Sequence, residues 1–199
     1  MIENYSKLNL DTNVKNSLKK LSSFRDMHPE NVLFDIKFSK YDNSDIKFIL
    51  YLSIRNYSND PLPNELFFGD ISELSIYDRS SNNRFYDSIF SNKNLIRLNL
   101  ALYNNFSVIP DNFHILSRLT ELSIQIPNLD SFPSSVCRLK HLISLTLICS
   151  NIIKLPELIF ELNSKLLSLT IGSVKESNMD DIKNETKRLQ IPEIILLGQ

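Results

Sequence analysis

The sequence predicts an α/β solenoid, with a curved parallel sheet along one side and short helical turns along the other. Three observations predict it: an apolar triplet that returns at an almost constant interval, a proline-led second half to each interval, and a first quarter that breaks the pattern. The triplet has the spacing Leu/Ile-x-x-Leu/Ile-x-Leu/Ile. It begins at Ile49, Ile71, Leu95, Leu119, Leu142, Leu166 and Ile191, so successive copies start 22, 24, 24, 23, 24 and 25 residues apart. A sustained period of this size marks stacked repeats, each too small to bury its own apolar face and each completed by the next.

In chain order, residues 1–48 come first and do not fit the period. Asp11 or Thr12 offers a helix N-cap, and Val14, Leu18, Leu21 and Phe24 follow at helical spacing. Leu33, Ile36 and Phe38 then repeat the strand spacing, and Asp42-Asn43-Ser44-Asp45 reads as a polar turn. Helix plus hairpin-like strand suits an N-terminal cap, because a bare solenoid end exposes core and an unpaired strand edge. An amphipathic helix that binds a partner or membrane is the competing reading, and the weakly charged polar face argues against it.

From residue 49 to 199 each triplet predicts a short strand whose apolar residues share one side, pairing in parallel with the next. The return segments read Leu62-Pro63 with Leu66, Ile109-Pro110 with Phe113 and Leu116, Phe132-Pro133 with Val136 and Leu139, and Leu155-Pro156 with Ile159 and Leu162. Proline suits the first position of a short helix or 3₁₀ turn, where its φ fits and its missing N–H costs nothing. Asn178-Met179-Asp180-Asp181 opens a longer helix through Ile182 to Leu189, acidic at its start and with Lys187-Arg188 at its end, as the helix dipole favours. Ile194 to Leu197 then provides a closing strand.

Both halves of the unit together resemble the leucine-rich repeat family, most closely its type of about 23 residues with a Leu-Pro second half. The resemblance covers Ile49 to Leu197. It departs at the family's asparagine after the strand, where this chain has Tyr57, Arg79, Tyr103, Pro127, Ser150 and Val174, with Asn104, Asn128 and Asn151 one residue late. A regular asparagine ladder is therefore not expected. The resemblance implies a protein-binding module, and the family includes inhibitors that cover an enzyme's active site.

Composition narrows the function classes. Lys+Arg number 22 against Asp+Glu 23, which gives no basic surplus for nucleic acid. No apolar run approaches the roughly 20 residues that span a bilayer, so no membrane role is expected. The start, Met1-Ile2-Glu3-Asn4-Tyr5-Ser6, lacks the apolar stretch of a secretory signal, which makes the cytoplasm the expected compartment. The Asn, Ile, Lys and Ser bias points to an AT-rich, bacterial genome. Asn-x-Ser/Thr at Asn4, Asn56, Asn105 and Asn184 is no more than this bias generates.

No catalytic constellation stands out. His28, His114 and His141 lie far apart in the repeat and show no paired metal-ligand spacing, and the three glycines form no phosphate-binding loop. Cys137 on a turn and Cys149 after a strand should face different surfaces as reduced apolar fillers. Neither cofactor, metal nor enzymatic activity is expected.

What information remains lies at the strand positions left free by the repeat, which point to the concave face. They form three columns: Tyr51, Glu73, Arg97, Glu121, Ser144, Ser168, Glu193; then Ser53, Ser75, Asn99, Ser123, Thr146, Thr170, Ile195; then Arg55, Tyr77, Ala101, Gln125, Ile148, Gly172, Leu197. A fourth position, just past each strand, holds Asn56, Asp78, Leu102, Ile126, Cys149 and Ser173. Tyrosines 51, 57, 77 and 103 interleave with arginines 55, 79 and 97, residue types that dominate binding hot spots. Ala101, Leu102, Ile126 and Ile148 read as an apolar floor. On an ordinary solvated sheet the same residues would serve as cross-strand pairs.

The candidate contacts for a folded protein partner are accordingly Tyr51, Arg55, Glu73, Tyr77, Arg97, Leu102, Tyr103, Glu121, Gln125 and Ile126. A monomeric, non-enzymatic binding module is the expected function, and its small size suits a bacterial inhibitor or immunity-type protein. The alternative is a structural protein whose ends, Leu33–Phe38 or Ile194–Leu197, join copies edge to edge.

Overall fold

The computed structural model describes residues 12–38, 49–63, 71–81, 84–103, 107–151 and 154–198. Helix α1 (Thr12–Met27) leads into strand β1 (Val32–Phe38), followed by β2 (Ile49–Asn56), β3 (Ile71–Asp78), β4 (Arg97–Leu102), β5 (Glu121–Gln125), β6 (Ser144–Ile148), β7 (Ser168–Val174), helix α2 (Glu176–Thr186) and β8 (Glu193–Gly198). All eight strands form one open sheet in sequence order. Strand β1 is antiparallel to β2, and every later pair is parallel. The protein is thus α/β, with a mostly parallel sheet and few helices.

The repeat period dictates this pairing. Because the interval barely varies, equivalent residues meet at equal depth, and Leu52, Leu74, Leu98, Leu122, Leu145, Leu169 and Ile194 form one inward row across the sheet. Ile54, Ile76, Leu100, Ile124, Leu147, Ile171 and Leu196 form a second. Within β2–β7 these residues are at most 2% exposed, and each buried aliphatic side chain contributes about 1.5–3 kcal/mol of transfer free energy. The first triplet members Ile49 and Ile71 open β2 and β3, but those of the later triplets behave differently. Leu95, Leu119, Leu142 and Leu166 precede their strands, where the turn folds them into the core as a third buried row. Their backbone is held there by the chain just before it, as in Leu119 N–H to the Leu116 carbonyl at 3.0 Å.

Opposite the strands lie 3₁₀ turns at Asp87–Ser91, Phe113–Ile115, Ser134–Arg138 and Glu157–Leu162. Phe113, Val136, Ile159 and Leu162 point inward from them, as their spacing predicts. Pro133 and Pro156 sit one place earlier than expected, capping their turns from outside, and Pro110 lies further back, ahead of the Asn112 cap. Pro133 and Pro156 are extended, with φ near −70°, and their carbonyls accept the first turn bonds from Val136 and Ile159 at 3.0 and 2.9 Å. Neighbouring turns are stitched together by polar contacts one repeat apart: Asp111 accepts the Ser135 N–H at 2.6 Å and the Ser134 hydroxyl at 2.9 Å. Burial alone would raise the Asp111 carboxyl, but these donors, a further bond from the Ser135 side chain and the charge of Arg138 hold it below the ordinary carboxylate range.

At the N-terminal end, Val14, Leu18, Leu21 and Phe24 of α1 are buried, as predicted. Strand β1 alternates strictly. Val32 is buried and Phe34, Ile36 and Phe38 pack against the core, whereas Leu33 is 49% exposed. Leu33 therefore does not share a face with Ile36 and Phe38, because a regular strand repeats every two residues and not every three. Helix α2 starts at Glu176, two residues before the predicted opening, and ends at Thr186, so Lys187 and Arg188 lie beyond its last turn. Asp11, the Asp42–Asp45 turn, Leu66 and Asn104 lie outside the described residues.

The asparagine position holds the largest surprise. The polar rung sits one residue earlier than the consensus spacing, at Asn56 and Asp78, both fully buried. Asn56 donates through Nδ2 to Asp78 Oδ1 at 2.9 Å and to the Asp60 carbonyl at 2.7 Å, and its Oδ1 accepts the Ser58 N–H and hydroxyl. Asp78 also accepts the Ser80 N–H and hydroxyl, both at 3.0 Å, and the Tyr86 hydroxyl. Further along, the same position is taken by Leu102, Ile126 and Cys149, each at most 1% exposed. Leu102 and Ile126 are thus core residues with no surface to offer a partner. In β4 the period of two, which brings Leu98 and Leu100 inward, carries Leu102 inward as well.

Leu145, with a repeat on either side, is completely buried, so Leu145→Ala should cost about 2–5 kcal/mol in chemical denaturation. Ser144→Ala, one residue earlier on the other face, should cost under about 0.5 kcal/mol. Equal effects would disprove the register. Asp78→Ala leaves the donors of Asn56, Ser80 and Tyr86 buried without their acceptor, and should destabilise by at least about 3 kcal/mol in the same assay.

Candidate functional site

The face of the sheet turned away from the core carries the three predicted columns in register. Tyr51, Glu73, Arg97, Glu121, Ser144, Ser168 and Glu193 are successive partners, as are Arg55, Tyr77, Ala101, Gln125, Ile148 and Gly172. Antiparallel β1 adds Lys37, Asp35 and Leu33 to the three columns, opposite Tyr51, Ser53 and Arg55. A sequence-only reading had no means of adding these residues without first fixing the hairpin's register.

The first column is electrostatically self-contained at its centre. Arg97 donates through Nη1 to Glu73 Oε1 at 2.6 Å and through Nε to Glu121 Oε1 at 2.9 Å. The hydrogen bond and charge of Glu121, followed by those of Glu73, raise the Arg97 pKa further above its already high value. With the guanidinium half exposed, each contact is worth about 1 kcal/mol or less. The triad fixes rotamers more than it stabilises the fold. It borders an open depression of about 350 Å³, flanked by Tyr51 and floored by Ser75, Asn99, Ser123 and Thr146, the low hydroxyl-bearing column.

A second cluster lies at the C-terminal ends of β2–β4. The ring of Tyr77 is 5.2 Å from Tyr57 and 5.3 Å from Tyr103, tilted against each of them. The Arg79 guanidinium lies 5.8 Å from the Tyr77 ring and 5.5 Å from that of Tyr103. Such contacts fix large amphipathic rings at the surface with little rotamer entropy left to lose. Arg55 is exposed and pairs across the strands with Tyr77.

Of the ten candidate contacts, eight remain accessible. Glu73, Arg97 and Glu121 form the triad, Tyr51 borders its depression, Tyr77 and Tyr103 join the aromatic cluster beside Arg55, and Gln125 lies half-buried between Ala101 and Ile148. Leu102 and Ile126 are removed by burial, and with Ala101 also buried the expected apolar floor shrinks to Ile148. Ile148 leans over Gly172, where an added Cβ would come within 3.2 Å of it. Tyr57 and Arg79 belong to the aromatic site although neither is among the ten. Their signal was present, since Tyr57, Arg79 and Tyr103 follow one another at the repeat interval.

Other chemistry is sparse. Among the described residues no three His, Cys, Asp or Glu side chains are grouped to hold a metal, and no helix is long and apolar enough to cross a membrane. His28 lies tilted against Phe24, ring centroids 4.9 Å apart, and meets Asp60 at 3.2 Å, while His114 and His141 are exposed. Asn56, one of the Asn-x-Ser sites, is buried. Cys137 and Cys149 do not face surfaces; both thiols are free and buried, and burial pushes them up to about 12 and about 11. No protein-family model matches the chain, and no curated protein is recognisably similar to it in sequence.

The raised thiol pKa values keep both cysteines protonated at neutral pH, and the thiolate is the reactive form. The folded protein should leave a disulfide reagent such as DTNB unconsumed at pH 8, with two equivalents released in denaturant. Because the unfolded thiols ionise near 9 and the folded ones about two to three units higher, their contribution to stability is intact below pH 9 and is lost as pH rises from there through 12. One equivalent released rapidly under native conditions would show a thiol at the surface.

Proposed function

We propose that this chain is a leucine-rich repeat protein whose open sheet face is the concave wall of a solenoid and docks a folded protein partner without catalysing a reaction. Sequential parallel pairing at a constant interval, with a 3₁₀ turn in several of the crossovers, supports the repeat reading. One observation carries the function: Tyr57, Tyr77 and Tyr103 pack ring against ring beside arginines, at the margin of a low hydroxyl-bearing face that lets another backbone approach closely. Surfaces of this composition supply binding hot spots. An inhibitor or immunity-type protein of a bacterial cytoplasm, one that covers a partner's surface, is the form this reading takes.

A second reading, self-association, draws on β8. It ends the sheet, pairs with β7 alone among the described residues, and exposes Ile195 at 39% and Leu197 at 48%. Light scattering behind size exclusion separates the two. The docking reading predicts a monomer at micromolar concentration, and a concentration-dependent dimer would favour the edge.

A docked partner should bury on the order of 1,200–2,000 Å² in total. Tyr77→Ala and Tyr103→Ala should each raise Kd for a partner recovered by affinity capture by roughly 30-fold, about 2 kcal/mol, without lowering thermal stability by more than a few degrees. Arg97→Ala should act more weakly, because that guanidinium is already occupied by Glu73 and Glu121. Unchanged calorimetric affinity in the Tyr77→Ala, Tyr103→Ala double variant would place docking elsewhere.

A further inference from the structure

The arginines on this face divide into two kinds. Arg97 is neutralised by Glu73 and Glu121, whereas among the described residues neither Arg55 nor Arg79 makes an ion pair, and both are exposed. Arg79 has its guanidinium against the rings of Tyr77 and Tyr103, and Arg55 stands opposite Tyr77 on the neighbouring strand. A guanidinium resting on aromatic rings is held in position, and its planar N–H edge stays available to a carboxylate. Asp35 and Leu33 line a depression of about 170 Å³ together with Arg55, and Asp35 forms no ion pair with it. Leu33, 49% exposed, makes that depression apolar on one side.

Resting on the docking reading, we infer that the partner presents an acidic segment to this edge, with carboxylates on Arg55 and Arg79 and an apolar side chain beside Leu33. Charge complementarity carries the inference. Positive charge that no ion pair occupies, held against aromatic rings, stays available to carboxylates, and an acidic polypeptide can meet it with two-pronged hydrogen bonds. Tyrosine and arginine also suit single-stranded nucleic acid. Nucleic acid is disfavoured because Glu73, Glu121 and Glu193 share the face and the chain carries 23 acids against 22 basic residues, so a phosphate backbone would be repelled along most of the sheet.

The test is to pan a random 12-residue phage-displayed peptide library on the full chain and measure the recovered peptides by interferometry. Enriched sequences should carry two or more Asp or Glu with a nearby apolar residue, and their affinity should fall with rising salt. Arg55→Glu and Arg79→Glu, each checked by circular dichroism, should weaken binding by at least about tenfold, and Arg79→Lys by several-fold, since lysine keeps the charge without the planar fork. Peptides lost on Tyr77→Ala but indifferent to both arginine changes would overturn the acidic-partner inference and leave the docking reading standing. Peptides indifferent to all of these variants would remove both. Failure to enrich any acidic sequence would overturn the inference, as would micromolar binding of a fluorescein-labelled oligo-dT of 15 nucleotides that Arg55→Glu and Arg79→Glu abolish.

Discussion

Parallel strands of five to eight residues have little stability of their own, and here the depth at which neighbouring strands meet decides everything else. The row from Leu52 through Leu74, Leu98, Leu122 and Leu145 to Leu169 is buried only because each residue finds its counterpart at the same height one strand away. Shifting one strand by a single residue would turn its aliphatic side chains outward and bring polar ones against the core. The near-constant interval between triplets is the covalent means of preventing that slip. The turns opposite the sheet then have fixed places, which allows contacts such as Ser135 to Asp111 to recur one repeat apart.

The position that follows the inward pairs changes character along the sheet. At β2 and β3 it is a hydrogen-bonded polar rung, Asn56 and Asp78, which ties down Ser58, Ser80 and Tyr86. At β4, β5 and β6 it is Leu102, Ile126 and Cys149, aliphatic or thiol. Both solutions satisfy the same space, the first by pairing buried polar groups and the second by omitting them. The polar rung lies directly beneath the strand ends that carry Tyr57, Arg79 and Tyr103. Backbone bonds continue this scaffold, with Arg79 N–H donating to the Asn56 carbonyl at 3.0 Å and Tyr103 N–H to the Asp78 carbonyl at 2.8 Å.

Opposite ends of the open face have different electrostatic characters. The central triad of Glu73, Arg97 and Glu121 pairs its arginine twice and is left with an excess of one carboxylate, whereas the edge near Arg55 and Arg79 keeps positive charge without an ion pair on an aromatic base. Whole-chain charge conceals this division because the two signs nearly cancel. Local pairing decides which arginine is available.

The sequence alone determined the strand order, the two inward rows and the columns of the outward face, because a fixed period and alternation leave one register that buries every triplet. The helix from Thr12 and the inward residues of the 3₁₀ turns were also legible, since their apolar spacing is local. Tertiary structure was needed wherever a residue's face depends on how far a strand extends. Leu102 and Ile126 look like surface residues in the repeat pattern and are core, because alternation continues past the triplet; Leu33 looks inward and is exposed, because β1 is a regular antiparallel strand. Cross-strand pairing of Glu73, Arg97 and Glu121 could be read from their column, but its geometry could not. That Arg97 is paired on both sides while Arg55 and Arg79 rest against aromatic rings follows from distances of a few ångströms across neighbouring strands, and no spacing along the chain encodes whether a guanidinium reaches a carboxylate or a ring.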